Sequence, residues 1–221
     1  GASIANKRWQ DAAGNGQISR IYYDAVQRPM VSVQNFISAA ITDPAPTYDP
    51  AHPDQNVQTQ VVYTLGGQIQ KTLDPNGRVT FTCYDGLERA VKQIQNPTVS
   101  DPCSAYTPST APDQDIITST QYDAAGHRQS TTDANGKTTT YGYDALGRLL
   151  RQVDPLQHET QYTYDGFGNP VGVTDARGIA THYEYGGMNR LSAVIENYRP
   201  GHEPSEAINV RTEYRYDHQG R

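Results

Sequence analysis

The chain has little of the material that builds a large hydrophobic core. Its 221 residues include only three Phe, one Trp and two Met, and hydrophobic residues make up 35% of the total. A chain of this length could bury one or two globular cores, so this composition favours a thin, extended structure over an ordinary enzyme domain. The most apolar stretch, residues 36–41, is far shorter than the roughly 18 residues that cross a bilayer as a helix, and we expect no membrane span.

Basic clusters and catalytic motifs are also missing. The net charge is −6 and no stretch is rich in Lys or Arg, which argues against a nucleic-acid partner because phosphate binding needs a basic surface. The six histidines lack the spacing of a zinc site, and the Asp-Ala-Asn-Gly segment at residues 133–136 lacks the further acidic ligands of a calcium loop. No nucleophile elbow, phosphate-binding loop or dinucleotide fingerprint occurs. The sequence therefore predicts no enzyme activity, no metal and no cofactor.

Only two cysteines occur, Cys83 and Cys103. Cys103 lies in a proline-rich segment that follows the stretch containing Cys83. A disulfide between them would tie that segment to the preceding hairpin and would suit an exported protein. Two free thiols are the alternative, and the sequence leaves both open.

What the chain does contain is a tyrosine-aspartate signature that recurs every 21 residues. When three longer intervals are allowed, the equivalent positions are Tyr23, Tyr63, Tyr84, Tyr122-Asp123, Tyr143-Asp144 with Gly147, Tyr164-Asp165 with Gly168, Tyr185, and Tyr216-Asp217. A fixed period of this kind identifies a repeat protein. The longer intervals hold proline-rich segments at about residues 42–56, 96–115 and 198–207, which we interpret as loops inserted into a single repeat region covering residues 1–221.

A second signature, Asp-x-x-Gly or a close variant, precedes the tyrosine by about ten residues, as at residues 74–77, 133–136 and 175–178. Aspartate opening a turn and glycine closing it at positive φ is typical of short β connections. Between the two signatures, Thr and Tyr alternate with other residues, for example at Thr139, Tyr141 and Tyr143, and this period of two indicates strands. We predict an all-β array of about eight β-hairpins.

The regular tyrosines are predicted to be structural. If neighbouring hairpins pair side by side, equivalent rings recur every second strand, roughly 9.5 Å apart, and form a ladder across the sheet. This interpretation assigns the tyrosines to packing between repeats and not to a ligand.

The segment Tyr-Asp-Ala-Leu-Gly-Arg-Leu-Leu-Arg-Gln-Val-Asp-Pro at residues 143–155, with Thr-x-Tyr-x-Tyr-Asp entering the next unit, resembles the YD repeat of the rearrangement-hotspot (RHS) family. That family includes bacterial polymorphic toxins, the C component of insecticidal toxin complexes, wall-associated proteins and teneurins. The resemblance covers nearly the whole chain. It implies a curved hairpin strip that is part of a hollow β-shell, which encloses a C-terminal toxin domain of a parent protein exported from bacteria, either secreted or held at the cell surface.

The chain departs from the full family pattern. The Asp-Pro-x-Gly-Leu core of a toxin shell is missing, because Asp74-Pro75-Asn76-Gly77 is followed by Arg78. The resemblance therefore carries over no self-cleaving residue, and no toxin domain is present. Since the chain stops inside a Tyr-Asp signature, we expect it to be a fragment of a longer protein.

The implied partners are the remaining repeats and the toxin domain of the parent protein. About 16 strands span roughly 75 Å of sheet, too little to close a container. The two unpaired sheet edges either associate with other copies or are shielded by the proline-rich insertions. The alternative function is a surface adhesion module whose tyrosines stack on a cell-surface glycan or protein.

Overall fold

The computed structural model describes residues 3–10, 16–35, 51 and 55–217, with the backbone alone for residues 3–10 and 16–18. Across these ranges the regular elements are sixteen β-strands and one short 3-10 turn, Gly187–Asn189. The predicted all-β hairpin array is confirmed. No helix in the described ranges is long and apolar enough to cross a membrane.

The chain divides into two units, Gly1–Ser119 and Thr120–Arg221. The strands of the first unit are β1 (Ser3–Gln10), β2 (Gly16–Tyr23), β3 (Pro29–Gln34), β4 (Val57–Tyr63), β5 (Ile69–Leu73), β6 (Val79–Tyr84), β7 (Ala90–Gln95) and the first part of β8 (Ile116–Tyr122). Each strand pairs antiparallel with the next one in the chain. The unit is therefore a simple meander of hairpins.

The second unit begins within β8 and repeats the same plan. Its further strands are β9 (Arg128–Thr132), β10 (Thr138–Tyr143), β11 (Leu149–Val153), β12 (Glu159–Tyr164), β13 (Pro170–Thr174), β14 (Ala180–Tyr185), β15 (Leu191–Glu196) and β16 (Val210–Glu213). From β9 to β16, neighbours in sequence again pair antiparallel.

Buried apolar side chains form small local clusters. One contains Tyr22 and Val33, and another contains Phe81, Cys83 and Ile94. Such clusters fit the low aromatic content, because each hairpin needs to cover only its own neighbours. The predicted thin sheet without a large core is what the described residues form.

The proline-rich segments fall between strands. Residues 96–115 connect β7 to β8, and residues 197–209 connect β15 to β16. The predicted insertion at about 42–56 lies mostly outside the described residues.

Candidate functional site: the Tyr-Asp turns

Each Tyr-Asp turn is built around the aspartate carboxylate. Asp144 Oδ1 accepts hydrogen bonds from the backbone N–H groups of Leu146 and Arg148, both at 2.9 Å. The Asp144 N–H donates to the Arg148 carbonyl at 2.9 Å, and Gly147 adopts φ 78°, a conformation natural to glycine. The short acidic side chain thus replaces backbone partners that a five-residue turn cannot supply.

The Asp-x-x-Gly turns use the same chemistry. Aspartate Oδ1 accepts two backbone N–H groups, two and four residues later, at Asp74, Asp133, Asp154 and Asp175 of these turns. The Tyr-Asp turns at Asp24, Asp85 and Asp165 have the same pair of bonds. The two sequence signatures are therefore one kind of turn, placed at both ends of the hairpins.

A β-bulge distinguishes the Tyr-Asp end. In the β10–β11 pair the register shifts between Gly142 and Tyr143, so that Tyr143 pairs with Leu149. The same shift occurs at Tyr23, Tyr63, Tyr84, Tyr164 and Tyr185. At the opposite end, Thr132 pairs with Thr138 without a shift. Because a bulge redirects a side chain, it gives the tyrosine a distinct orientation at the strand end.

The tyrosine hydroxyl joins one hairpin to the preceding one. Tyr164 donates its hydroxyl to the Leu149 carbonyl at 2.9 Å, fifteen residues earlier. Equivalent bonds run from Tyr63 to Pro29, Tyr84 to Ile69, Tyr143 to Arg128 and Tyr185 to Pro170. In every case the acceptor is the first residue of the strand after the preceding Tyr-Asp turn. The ladder is thus linked by hydrogen bonds.

The residue four positions after the aspartate completes the link. Arg148 Nε donates to Asp144 Oδ2 at 2.7 Å, its guanidinium carbon lies 4.7 Å from the centroid of the Tyr164 ring, and Nη1 donates to the Asp165 carbonyl at 3.2 Å. These three residues, namely the aspartate, the residue four positions later and the tyrosine of the next signature, form a set that we call the repeat joint. It joins charge pairing within one turn to a cation–π contact with the next.

Two further joints have the same form. In the joint Asp24, Arg28 and Tyr63, the guanidinium carbon is 4.4 Å from the ring centroid. In the joint Asp123, His127 and Tyr143, the imidazole is 3.1 Å from the carboxylate and stacks on the tyrosine at 4.8 Å.

The carboxylates of Asp85, Asp144 and Asp165 are held in their ionised form, because each has a lowered pKa. The backbone N–H and the guanidinium of Arg148 lower the pKa of Asp144, against the opposing effect of desolvation. At Asp85 the Arg89 guanidinium is the main cause of a lowered pKa, and at Asp165 it is the side-chain amide of Asn169. Hydrogen bonds to a carboxylate favour its charged form, whereas a general acid at neutral pH needs a raised pKa. This arrangement suits turn formation.

The predicted repeat tyrosines occupy equivalent places. Tyr23, Tyr63, Tyr84, Tyr122, Tyr143, Tyr164 and Tyr185 each end a strand. Tyr216 and Asp217 instead follow the end of β16, and the Arg190 guanidinium carbon lies 5.0 Å from the Tyr216 ring centroid. No group of side chains suited to a metal ion occurs in the described part of the chain.

Cys83 and Cys103 form a disulfide, which attaches residues 96–115 to β6. The same loop is fixed from within by Asp115, a buried residue whose carboxylate accepts hydrogen bonds from Thr98, Tyr106 and Ser109. Desolvation opposes ionisation of Asp115, but these bonds outweigh it and lower the pKa to about 2. The loop is therefore an ordered part of the first unit.

Paired left-handed residues close each insertion. The N–H of Asp115 (φ 46°) donates to the carbonyl of Asn96 (φ 48°) at 3.0 Å. The pairs Asn56 with Asn35 and Asn209 with Asn197 repeat this bond with all four residues at positive φ. We call this pair the loop clamp. Sequence reasoning did not identify it, although Asn or Asp at both ends of each insertion was the available signal.

The fold, the repeat joints and the loop clamps define a tandem β-hairpin repeat protein. Residues 122–159, 143–180 and 164–197 each match the RHS Repeat family. The three matches begin at Tyr122, Tyr143 and Tyr164, the first residues of successive signatures. Residues 122–197 therefore consist of RHS repeats, in agreement with the predicted resemblance to that family.

Solved structures with a similar fold include the crystal structures of TcdB2-TccC3-TEV and TcdB2-TccC3-Cdc42. The first has a TM-score of 0.63 and 18% identity over 97% of this chain, and the second a TM-score of 0.58 and 14% identity over 99%. This chain spans only 11% and 14% of the length of those chains. At such identities the likeness is one of fold. No curated protein sequence matches the chain.

Proposed function

We propose that this chain is a wall segment of a hollow β-shell, in which a longer, exported parent protein encloses a C-terminal toxin domain until delivery. The observation that carries the proposal is the repeat joint, in which the residues of the repeat signature hold one hairpin to the next. The small coverage of the similar structures supports a role as part of a larger assembly.

The wall acts by confinement. Its aspartates are engaged in turns with lowered pKa values at Asp24, Asp85, Asp144 and Asp165, and its tyrosine hydroxyls donate to backbone carbonyls. We therefore assign no catalytic step to this segment.

Further repeats of the parent are the partner we propose for the Tyr-Asp turns. In each unit these turns carry large, exposed apolar side chains near their centres. They include Val26, Leu65 and Leu87 in the first unit, and Leu146, Phe167 and Met188 in the second. A recurring row of exposed apolar residues marks a contact surface, and other repeats of the same parent supply an occupant with the matching period. The outer edge of β16 is the place where the next strand would extend the sheet, or where another copy would associate.

The parent protein provides the test. Limited proteolysis of the full-length protein should leave its C-terminal region intact. The double variant Tyr143→Ala and Tyr164→Ala, which removes rings from two successive joints, should expose that region to cleavage. Tyr214→Phe is the matched control, because Tyr214 is exposed and makes no hydrogen bond through its hydroxyl in the described structure.

Rapid cleavage of the C-terminal region in the wild-type protein, at the rate seen in the joint variant, would contradict enclosure. Saturable binding of the same protein to cell-surface glycans, with loss of tyrosine fluorescence, would instead support the adhesion alternative. The ring positions favour the wall, since among the described tyrosines only Tyr214 and Tyr216 are largely exposed.

A further inference from the structure

Two of the described turns that follow a repeat tyrosine have no cationic residue in the position of Arg148, and we consider the one at residues 64–68. In the turn of residues 64–68, Thr64 stands in the aspartate position and Gln68 in the position held by Arg148 four residues after Asp144. The tyrosine that this turn should cover is Tyr84. In the described part of the chain, no cationic side chain lies over the Tyr84 ring, although its hydroxyl still donates to the Ile69 carbonyl at 2.6 Å.

A surface pocket of about 440 Å³ lies where the missing cation would be. Its lining includes Tyr63, Gln68, Tyr84, Asp85 and Glu88. The Gln68 side chain is one of the lining groups, and its Nε2 donates to Glu88 Oε2 at 3.4 Å, a long and weak hydrogen bond.

The occupied joint shows which contacts a cation makes at this place. Arg148 lies over the Tyr164 ring and donates to the carbonyl of Asp165, the residue after that tyrosine. The corresponding groups in the pocket are the Tyr84 ring and the Asp85 carbonyl. Two of the three groups that hold the Arg148 guanidinium therefore have counterparts here, whereas the third, the Asp144 carboxylate, is replaced by Thr64.

The pocket has in addition a carboxylate that the other turns lack. Glu88 occupies the position of Gly147 and Gly168, and it does so at φ 61°. Its carboxylate also leans over the preceding turn, since a Cβ on Gly66 would lie 2.3 Å from Glu88 Oε1. The Asp85 carboxylate is paired with Arg89, so Glu88 is the anion that faces the pocket.

We infer that this pocket binds a guanidinium group from outside the segment. A planar cation over Tyr84 gains a cation–π contact, while its N–H groups can donate to the Asp85 carbonyl and the Glu88 carboxylate. We favour a guanidinium over an ammonium because the equivalent site in the Arg148 joint holds a guanidinium. This inference goes beyond the wall function and stands without it.

The test is a titration of the chain, with ¹³C-labelled tyrosine, by N-acetylargininamide. The Tyr84 ring resonance, assigned with Tyr84→Phe, should shift saturably. N-acetylcitrullinamide, which has nearly the same shape but no charge, should leave it in place. The Tyr185 ring resonance is an internal control. The turn before Tyr185 also lacks a cation, since Asn169 stands in the position of Arg148, but the turn after it, Gly187–Asn189, has no acidic side chain in the place of Glu88.

Two variants separate binding from folding. Gln68→Arg should fill the pocket from within and abolish the shift. Glu88→Gly should weaken binding roughly tenfold, by loss of one charged contact, without unfolding the chain, because glycine is the residue that other turns use at this position. A peptide Gly-Gly-Arg-Gly-Gly that binds more tightly than N-acetylargininamide would identify the source as an arginine of a polypeptide, and equal binding would point to a small guanidinium compound.

Three results would overturn the inference. They are an unmoved Tyr84 resonance in the folded chain, an equal response to the citrulline probe, and an undiminished response in Gln68→Arg.

Discussion

Removing the Tyr164 hydroxyl tests the link between neighbouring hairpins. Tyr164→Phe deletes one partly buried hydrogen bond, the 2.9 Å contact with the Leu149 carbonyl, and keeps the ring beneath Arg148. We expect a loss of about 1 kcal/mol in the free energy of unfolding. For a chain of this size that loss corresponds to a fall of roughly 2–4 °C in the thermal midpoint.

Tyr164→Ala removes the ring as well and should cost about 4 kcal/mol. Truncating a fully buried aromatic ring costs about 3–5 kcal/mol, and a half-buried ring accounts for about half of that, or about 2 kcal/mol. The lost hydrogen bond and the lost cation–π contact add about 1 kcal/mol each. A double-mutant cycle locates the cation. Arg148→Leu should be additive with Tyr164→Phe, which keeps the ring face, and coupled to Tyr164→Ala by about 0.5–1 kcal/mol.

The assay is urea denaturation followed by circular dichroism, with the m-value checked for constancy. Tyr214→Phe is the matched control and should change stability by less than about 0.3 kcal/mol, since Tyr214 is exposed. If Tyr164→Phe is indistinguishable from this control, the hydroxyl does not hold the hairpins together and the account of the repeat joint is wrong.

Three further predictions concern the turns and the disulfide-bonded loop at residues 96–115. Because the pKa of Asp115 is lowered to about 2, its contribution to stability should be complete above about pH 4 and lost as the pH falls towards 2, and Asp115→Asn should flatten that part of an acid-unfolding curve. Cys103→Ser should lower the free energy of unfolding by about 3 kcal/mol, as expected for a loop of this length, and a reducing agent should destabilise the wild-type chain but not the variant. Gly147→Ala should cost about 1–2 kcal/mol at its positive φ, whereas Gly166→Ala, which has open space around the added methyl, should cost almost nothing in the same thermal melt.

The strands and turns could be predicted from the sequence because their causes are local. Asp144 and Gly147 lie in the turn that they form, and the alternation in Thr138–Tyr143 belongs to the strand that it describes. The sequence also predicted that Tyr164 packs between repeats, and its contacts with the Leu149 carbonyl and the Arg148 guanidinium both reach the preceding repeat.

The partners of these residues were not predicted, since they depend on pairing between strands. The bond from Tyr164 to Leu149 crosses fifteen residues and depends on the bulge at Tyr164, which sequence reasoning did not predict. The sequence alone also gives Arg148 no partner, because its contact with the Tyr164 ring forms only when neighbouring hairpins pair. The repeat period places Tyr84 like Tyr164, but Gln68 stands in the position of Arg148, and a pocket lies beside the Tyr84 ring.

Tyr216 shows where the period alone is insufficient. It lies in register with the other signatures, yet β16 ends at Glu213 and the tyrosine follows it with a largely exposed ring. All four residues of β16 are exposed, so few side-chain contacts are available to stabilise a longer strand that would include Tyr216.

The loop clamp makes the length of a connection independent of the alignment of the strands it joins. Asn96 and Asp115, like Asn197 and Asn209, return the chain to the sheet at a fixed point whatever lies between them. Lengthening a flexible loop costs only about 0.6 kcal/mol for each doubling. Foreign peptides could therefore be grafted between Asn197 and Asn209, at the end of the hairpins opposite the Tyr-Asp turns, without altering the pairing of β15 with β16.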